Sequence, residues 1–367
     1  ADVPVGVLLS GGVDSSLLTA MAAQASGDRI KTFSIGFEDQ SFNELDKARL
    51  VAERFGTEHH ELVVAPDAVE LLPKLVRAYD EPFGDSSALP TYIVSELAAK
   101  HVKVALAGEG GDELFGGYHT YVADALGARV GGLARRLRPL ADRLPRLPIG
   151  DRREDRLRRF LEGAAREPLE RHCAWQEVMS EDVRGELMAR GRGADPLATH
   201  RARYAESAQG QPIARFQDLD LGTYLVDDLL LKTDRASMAH SLELRVPFCD
   251  PAITQLALSA PDALRVRRAE KKRLLREAAR PLLPSEILDA PKQGFSIPAA
   301  AWLRGDLREF AGDTLSTATL ERHGYLCAPA VQSMLAEHQS KRRDRSRQLW
   351  GLLMLTLWFD AYGPGAP

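Results

Sequence analysis

Residues 5–9, Val5-Gly-Val-Leu-Leu9, form a short and nearly unbroken apolar run, the pattern of a strand buried on both faces. Residues 15–25 then read as a helix, 30–37 as a second strand, and 43–55 as a helix with apolar positions at Leu45, Ala48, Val51, Ala52 and Phe55. A short strand over 61–64, helices over 68–78 and 89–100, and a strand over 102–107 continue the alternation. Strands and helices in turn, with near-continuous apolar strands, predict an α/β fold: a parallel sheet covered by helices on both faces. Such sheets bind ligands beyond the carboxyl ends of their strands.

After about residue 125 the strand signal nearly vanishes, and residues 215–245, 269–283 and 348–362 read as helices. The expected organisation is therefore a nucleotide-binding α/β core over 1–125. A mainly helical part over 126–363 would complete the site within one unit. The first strand begins almost at residue 1, so a missing upstream domain is expected. Residues 129–159 hold eleven arginines against four acidic residues. No aromatic residue is interleaved before Phe160, so a solvated helical excursion is favoured over a nucleic-acid patch.

Composition narrows the class. The chain has 367 residues, with 48 Lys and Arg against 52 Asp and Glu, a net charge of −4. That balance gives no electrostatic reason to expect nucleic acid or a membrane surface as partner. Cys173, Cys249 and Cys327 lie far apart in the sequence, which argues for a reducing cytoplasm rather than a disulfide scaffold. The apolar stretch over 349–359 is about ten residues, too short to span a bilayer.

Two glycine-rich turns carry the chemistry. Ser10-Gly-Gly-Val-Asp-Ser-Ser16 joins the first strand to the first helix. Gly11 and Gly12 let main-chain N–H groups approach a ligand, Ser10, Ser15 and Ser16 add hydroxyls, and the helix N-terminus attracts an anion. Pyrophosphate is the obvious anion. Asp14 would repel it unless a bound Mg²⁺ shares carboxylate and phosphate oxygens. Ala107-Gly-Glu-Gly-Gly-Asp-Glu-Leu-Phe-Gly-Gly-Tyr118 follows another strand and adds Glu109 and Asp112. Three carboxylates are then expected to converge on one crevice, two of them to hold a metal and the third to work as a base.

The first loop lacks the Gly-Lys-Ser/Thr of a Walker A motif and resembles the signature of the PP-loop ATP pyrophosphatases. Further blocks narrow the resemblance. They are residues 78–92 (AYDEPFGDSSALPTY), residues 229–250 (LLLKTDRASMAHSLELRVPFCD), the KRLLREA run from Lys272, and Pro291-Lys-Gln-Gly-Phe295. In order and spacing they resemble the synthetase domain of the glutamine-hydrolysing asparagine synthetase family, over residues 3–360.

The resemblance implies an adenine-nucleotide-hydrolase-like fold, with ATP and Mg²⁺ as cofactors. Residues 10–16 would hold the ATP phosphates, Leu9 and Ile35 would flank the adenine, and Gly108 would lie near the ribose. Asp14 and Asp112 would bind Mg²⁺–pyrophosphate. Glu109 matches the base that deprotonates attacking ammonia, and Lys272 matches the lysine facing the α-phosphate, with Lys271 as its alternative. Asp228, Lys232, Asp234 and Arg235 would hold a small-molecule carboxylate, the side chain of aspartate by the same likeness. The implied product is an amide, formed by adenylation and then ammonia attack.

Two departures stand out. The chain starts Ala1-Asp-Val-Pro, without the terminal cysteine of the family's glutaminase domain, so that domain is expected upstream in the native protein. Ala107 stands where many relatives carry serine, and weaker nucleotide binding is expected from the lost hydroxyl. Cyclases resembling β-lactam synthetase carry tyrosine where Glu109 stands. Lasso-peptide cyclases, amidotransferases of surface polysaccharides and a non-catalytic scaffold stay open as alternatives, as does assembly into a homodimer.

Overall fold

The computed structural model describes residues 2–39, 42–64, 68–141, 160, 163–189, 193–267, 269–291, 294 and 296–363. It contains five parallel strands in the order β3-β2-β1-β4-β5. In chain order these are β1 (Val5–Leu8), β2 (Lys31–Phe37), β3 (Glu58–Val64), β4 (Val104–Leu106) and β5 (Glu243–Arg245). Helix α1 (Val13–Ala25) joins β1 to β2, and α2 (Leu45–Phe55) joins β2 to β3. Helices α3 (Ala68–Tyr79) and α4 (Ala88–Ala99) lead from β3 back to β4.

That order reverses between β1 and β4. Parallel crossovers are right-handed, so α1 and α2 lie on one face of the sheet and α3 and α4 on the other. Consistently, α1 packs on α2, whereas α3 and α4 pack together and against the helix Leu231–Met238. The crevice for a ligand in such a sheet opens at the carboxyl ends beside the reversal. Here that is where residues 9–16 and 107–117 leave β1 and β4.

The chain divides into two compact units. The first comprises residues 1–79, 85–117 and 220–298 and holds the whole sheet. Its core includes Val7, Leu9, Leu17, Leu18, Val51, Leu114, Phe248, Leu275 and Ile287, so the helix Arg273–Ala279 is seated by the same core as α1. Burying Leu275 contributes about 2 kcal/mol to that docking. The second unit, residues 80–84, 118–219 and 299–367, is helical among its described residues. It is anchored in part by a buried Asp124 that accepts from Arg171 Nε (3.1 Å) and pairs with His172 Nδ1 (2.6 Å).

Three expectations change. The single helix over 215–245 is in fact Pro212–Leu221, a π-helix at Leu225–Leu230, Leu231–Met238, and then strand β5. Glu243 and Leu244 carry alternating polar and apolar side chains, and the edge of β4 takes them up as a fifth strand. The helix over 269–283 shrinks to Arg273–Ala279, because Lys272 has a left-handed backbone (φ +52°) and stops it. Strand β3 starts at Glu58 rather than residue 61, since its full length pairs with β2 from Lys31 to Phe37. Most of the arginine-rich run, and Lys292, Gln293 and Phe295 of the PKQGF block, lie outside the described residues.

Candidate active site

All residues below belong to the unit that holds the sheet. At the end of β1 the Leu9 N–H donates to Phe33 O (2.8 Å), and the Ser34 hydroxyl donates to Leu9 O. Leu9 and Ile35, both buried, thus sit at the carboxyl ends of neighbouring strands. The chain then turns through Gly11 at φ +78°, where a Cβ would stand 2.9 Å from Ala48 N, so only glycine suits the turn. Gly12 is the N-cap of α1.

Hydroxyls brace this loop from within. Ser15 Oγ donates to Gly12 O (3.2 Å), which leaves the Ser10 hydroxyl to donate to Ser15 Oγ (3.0 Å). Ser15 Oγ also accepts from Ser10 N–H (3.2 Å). The expected trio of hydroxyls for a phosphate is therefore reduced. Of the three hydroxyls, Ser16 Oγ, fully buried, makes no hydrogen bond among the described residues.

The second turn leans against the first. Gly108 and Gly111 approach Asp14 so closely that added Cβ atoms would stand 3.2 Å from its Cβ and 2.8 Å from its Oδ1. Asp112 lies in the first turn of α5 (Gly111–Phe115), and Asp14 in the first turn of α1. Lys272 ties the two carboxylates together: its Nζ donates to Asp14 Oδ2 and lies 2.8 Å from Asp112 Oδ1. A Cβ on Gly117 would overlap both Asp112 Oδ1 and Lys272 Cε, so the lysine stem fills this corner. Burial alone would lower the Lys272 pKa, but Asp112 and Asp14 together hold it well above the usual lysine range. The ammonium is charged at any physiological pH. Lys272 thus reaches both carboxylates.

Glu109 is half-buried on the same turn, and its Oε1 accepts from the Thr233 hydroxyl (3.1 Å). Thr233 is neighbour to Lys232, whose Nζ donates to Ser87 Oγ (2.8 Å) and to Asp85 Oδ2 (3.2 Å). Tyr79 donates its hydroxyl to Lys232 O (3.0 Å). Burial opposes the charge on Lys232, but Asp85, Glu109 and Asp228 outweigh it and raise its pKa. Asp228 rides on the π-helix, a geometry that often marks functional sites. Burial and the neighbouring Asp85 push its carboxyl up to about 7 despite Lys232. Its Oδ1 is buried and takes no hydrogen bond among the described residues.

Asp234 and Arg235 are exposed on Leu231–Met238 and do not join this cluster. Asp85, Ser87 and Thr233 were not among the expected site residues. A lysine directly after the apolar Leu229-Leu-Leu run is the signal that could have led to a carboxylate partner, because a buried ammonium needs one. Cys249 packs beneath Gly110, and burial, with Glu113 and Glu109 adding, pushes its thiol up to about 11. It is a packing group rather than a nucleophile.

The donor set fits the expected Mg²⁺. Asp14 and Asp112 offer all-oxygen ligation from two carboxylates, and Mg²⁺ is typically held by one or two carboxylates plus substrate phosphates. The helix N-terminus at Gly12 presents main-chain N–H groups and the positive end of the helix dipole. Among the described residues no helix is long and apolar enough to cross a membrane.

Comparison with known proteins agrees with this arrangement. A model of the asparagine synthase family matches residues 1–360. "Asparagine synthetase [glutamine-hydrolyzing] 1" of Bacillus subtilis strain 168 is 34% identical over 98% of this chain and 56% of its own length. A "putative asparagine synthetase [glutamine-hydrolyzing]" of Mycobacterium tuberculosis H37Rv is 39% identical over 98% of this chain and 54% of its own. The "amidase chry2" of Gibberella zeae is 25% identical over 91% of this chain. The chain spans about half the length of these relatives. On these matches, over a sheet whose two glycine-rich turns meet at the β1/β4 reversal, the chain belongs to the asparagine synthase family.

Proposed function

We propose that this chain adenylates the side-chain carboxylate of aspartate with ATP and passes the acyl group to ammonia, forming asparagine, AMP and pyrophosphate. The observation that carries the reading is the Asp14–Lys272–Asp112 cluster, which unites the first loop, the second turn and the KRLLREA block at the carboxyl end of the sheet. Leu9 and Ile35 would flank the adenine, Gly108 would adjoin the ribose, and the loop N–H groups at residues 10–16 would hold the phosphates. Bound between Asp14 and Asp112, Mg²⁺ would supply charge neutralisation for the departing pyrophosphate.

Lys272 then stabilises the charge that builds on the α-phosphate as the carboxylate attacks. A free carboxylate is a poor acyl electrophile, and AMP is a good leaving group. Glu109 accepts the proton that ammonia must lose as it displaces AMP, and the Thr233 hydroxyl fixes the orientation of that carboxylate. The relatives' names describe glutamine hydrolysis. A glutaminase domain in the whole protein would therefore release the ammonia, in a cytoplasmic setting.

Asp228 is the group we assign to the acceptor's α-ammonium, with Lys232 and Asp85 holding it in place. Binding a cation to a carboxyl with a pKa of about 7 favours its ionised form and releases a proton. KM for aspartate should therefore rise as pH falls below about 7. Asp228→Asn should raise KM by about 10- to 100-fold and flatten that pH profile. An unchanged KM would move the acceptor elsewhere.

The reading is tested by incubating the protein with Mg²⁺-ATP, ammonium and a panel of carboxylic acids. AMP and amide should form with aspartate and not with glutamate. AMP with another acid would make the chain an amidotransferase for that acceptor, and no AMP with any acid would favour a scaffold.

A further inference from the structure

We propose that Lys272 is a tethered cation that fills the Asp14–Asp112 metal seat until nucleotide arrives, so that the divalent metal enters only together with ATP. The proposal rests on the adenylation reading and adds an order of binding to it. Lys272 stands on both carboxylates of the seat: Nζ bonds Asp14 Oδ2 and lies 2.8 Å from Asp112 Oδ1. Mg²⁺ would need those oxygens at about 2.0–2.1 Å. An ammonium and a dication on the same oxygens would then be near neighbours, mutually repelled in a buried site.

Space is as limiting as charge. Gly117 presses on Asp112 Oδ1 and on Lys272 Cε with no room for a methyl group, and Gly111 closes on Asp14. On this proposal the two cations take the seat in turn. Sequence supports the lysine as the member that moves. Lys272 is the N-cap of Arg273–Ala279, so its backbone is fixed by the buried Leu275 and Ala279, and any movement falls to its four side-chain torsions. Its left-handed φ of +52°, uncommon for a residue with a Cβ, aims the stem back from the helix into the corner. With Mg²⁺-ATP docked, Asp14 and Asp112 would hold the metal in place of the ammonium, and Lys272 would find a new anion in the α-phosphate. The lysine then reaches its catalytic position as a consequence of metal loading. Metal-free nucleotide leaves it on the carboxylates.

The test reads metal binding rather than turnover. Mn²⁺, a paramagnetic substitute for Mg²⁺, is titrated into the protein without nucleotide, and the free ion is followed by electron paramagnetic resonance. Wild type should bind Mn²⁺ weakly. Lys272→Met should bind about 100-fold more tightly, and adding Asp14→Asn to that variant should remove the gain. Circular dichroism confirms that the variants are folded. Tight Mn²⁺ binding by the nucleotide-free wild type would overturn the proposal, whatever the variants do. So would a folded Lys272→Met protein with no gain. Either result leaves acceptor-dependent AMP formation by wild type, the mark of the adenylation reading, unaffected.

Discussion

Lys272→Ala should lower aspartate-dependent ATP–pyrophosphate exchange by roughly 10³-fold, the scale of losing a charged group aimed at a transferring phosphoryl centre. The exchange assay isolates the first half-reaction, because it needs no ammonia. Burial strengthens every interaction of this ammonium, and both of its carboxylate partners come from the turns that would flank the phosphates. Arginine should not rescue the loss. Gly117 already touches the lysine stem at Cε, and a guanidinium needs width there that the corner lacks. Asp14→Asn should fail in the same assay, since it removes one of the two carboxylates assigned to Mg²⁺–pyrophosphate. Unchanged exchange in either variant would remove that residue from its role.

Glu109→Gln should separate the two half-reactions. Pyrophosphate should still be released with aspartate, while amide yield falls by about 10²- to 10⁴-fold, the usual contribution of a positioned base. Glutamine keeps the shape of the side chain and can still accept from the Thr233 hydroxyl, so the turn should hold its form. What it loses is the capacity to take a proton. Normal amide yield in this variant would refute the base assignment, and loss of pyrophosphate release would place Glu109 in the first step instead.

Much of this site was readable because its parts are local. The apolar run before Ser10, the paired glycines and the helix after them specify a strand, a tight turn and a helix start within a dozen residues. The same holds for Gly108 to Asp112. What the sequence could not show is that Lys272 meets Asp14 across 258 positions, a contact made by the fold alone. Its left-handed backbone was equally hidden, because a lysine in a run of helix formers reads as helix. Strand β5 was missed for a related reason: three residues at a sheet edge gain their strand form from β4, and the preceding helical pattern masks them. The π-helix at Leu225–Leu230 leaves no periodic signature of its own. Asp85 and Ser87 lay in a block whose order was informative while its chemistry was silent. Their role emerged only when Lys232 was found buried against them.

The central claim is that a carboxylate of the acceptor bonds to the α-phosphorus of ATP. Aspartate labelled with ¹⁸O in its side-chain carboxylate tests it in one incubation with Mg²⁺-ATP and ammonium, read by mass spectrometry of the nucleotide product. The account predicts one labelled oxygen in AMP and its loss from the amide. Unlabelled AMP, or label appearing only in inorganic phosphate alongside ADP, would contradict it.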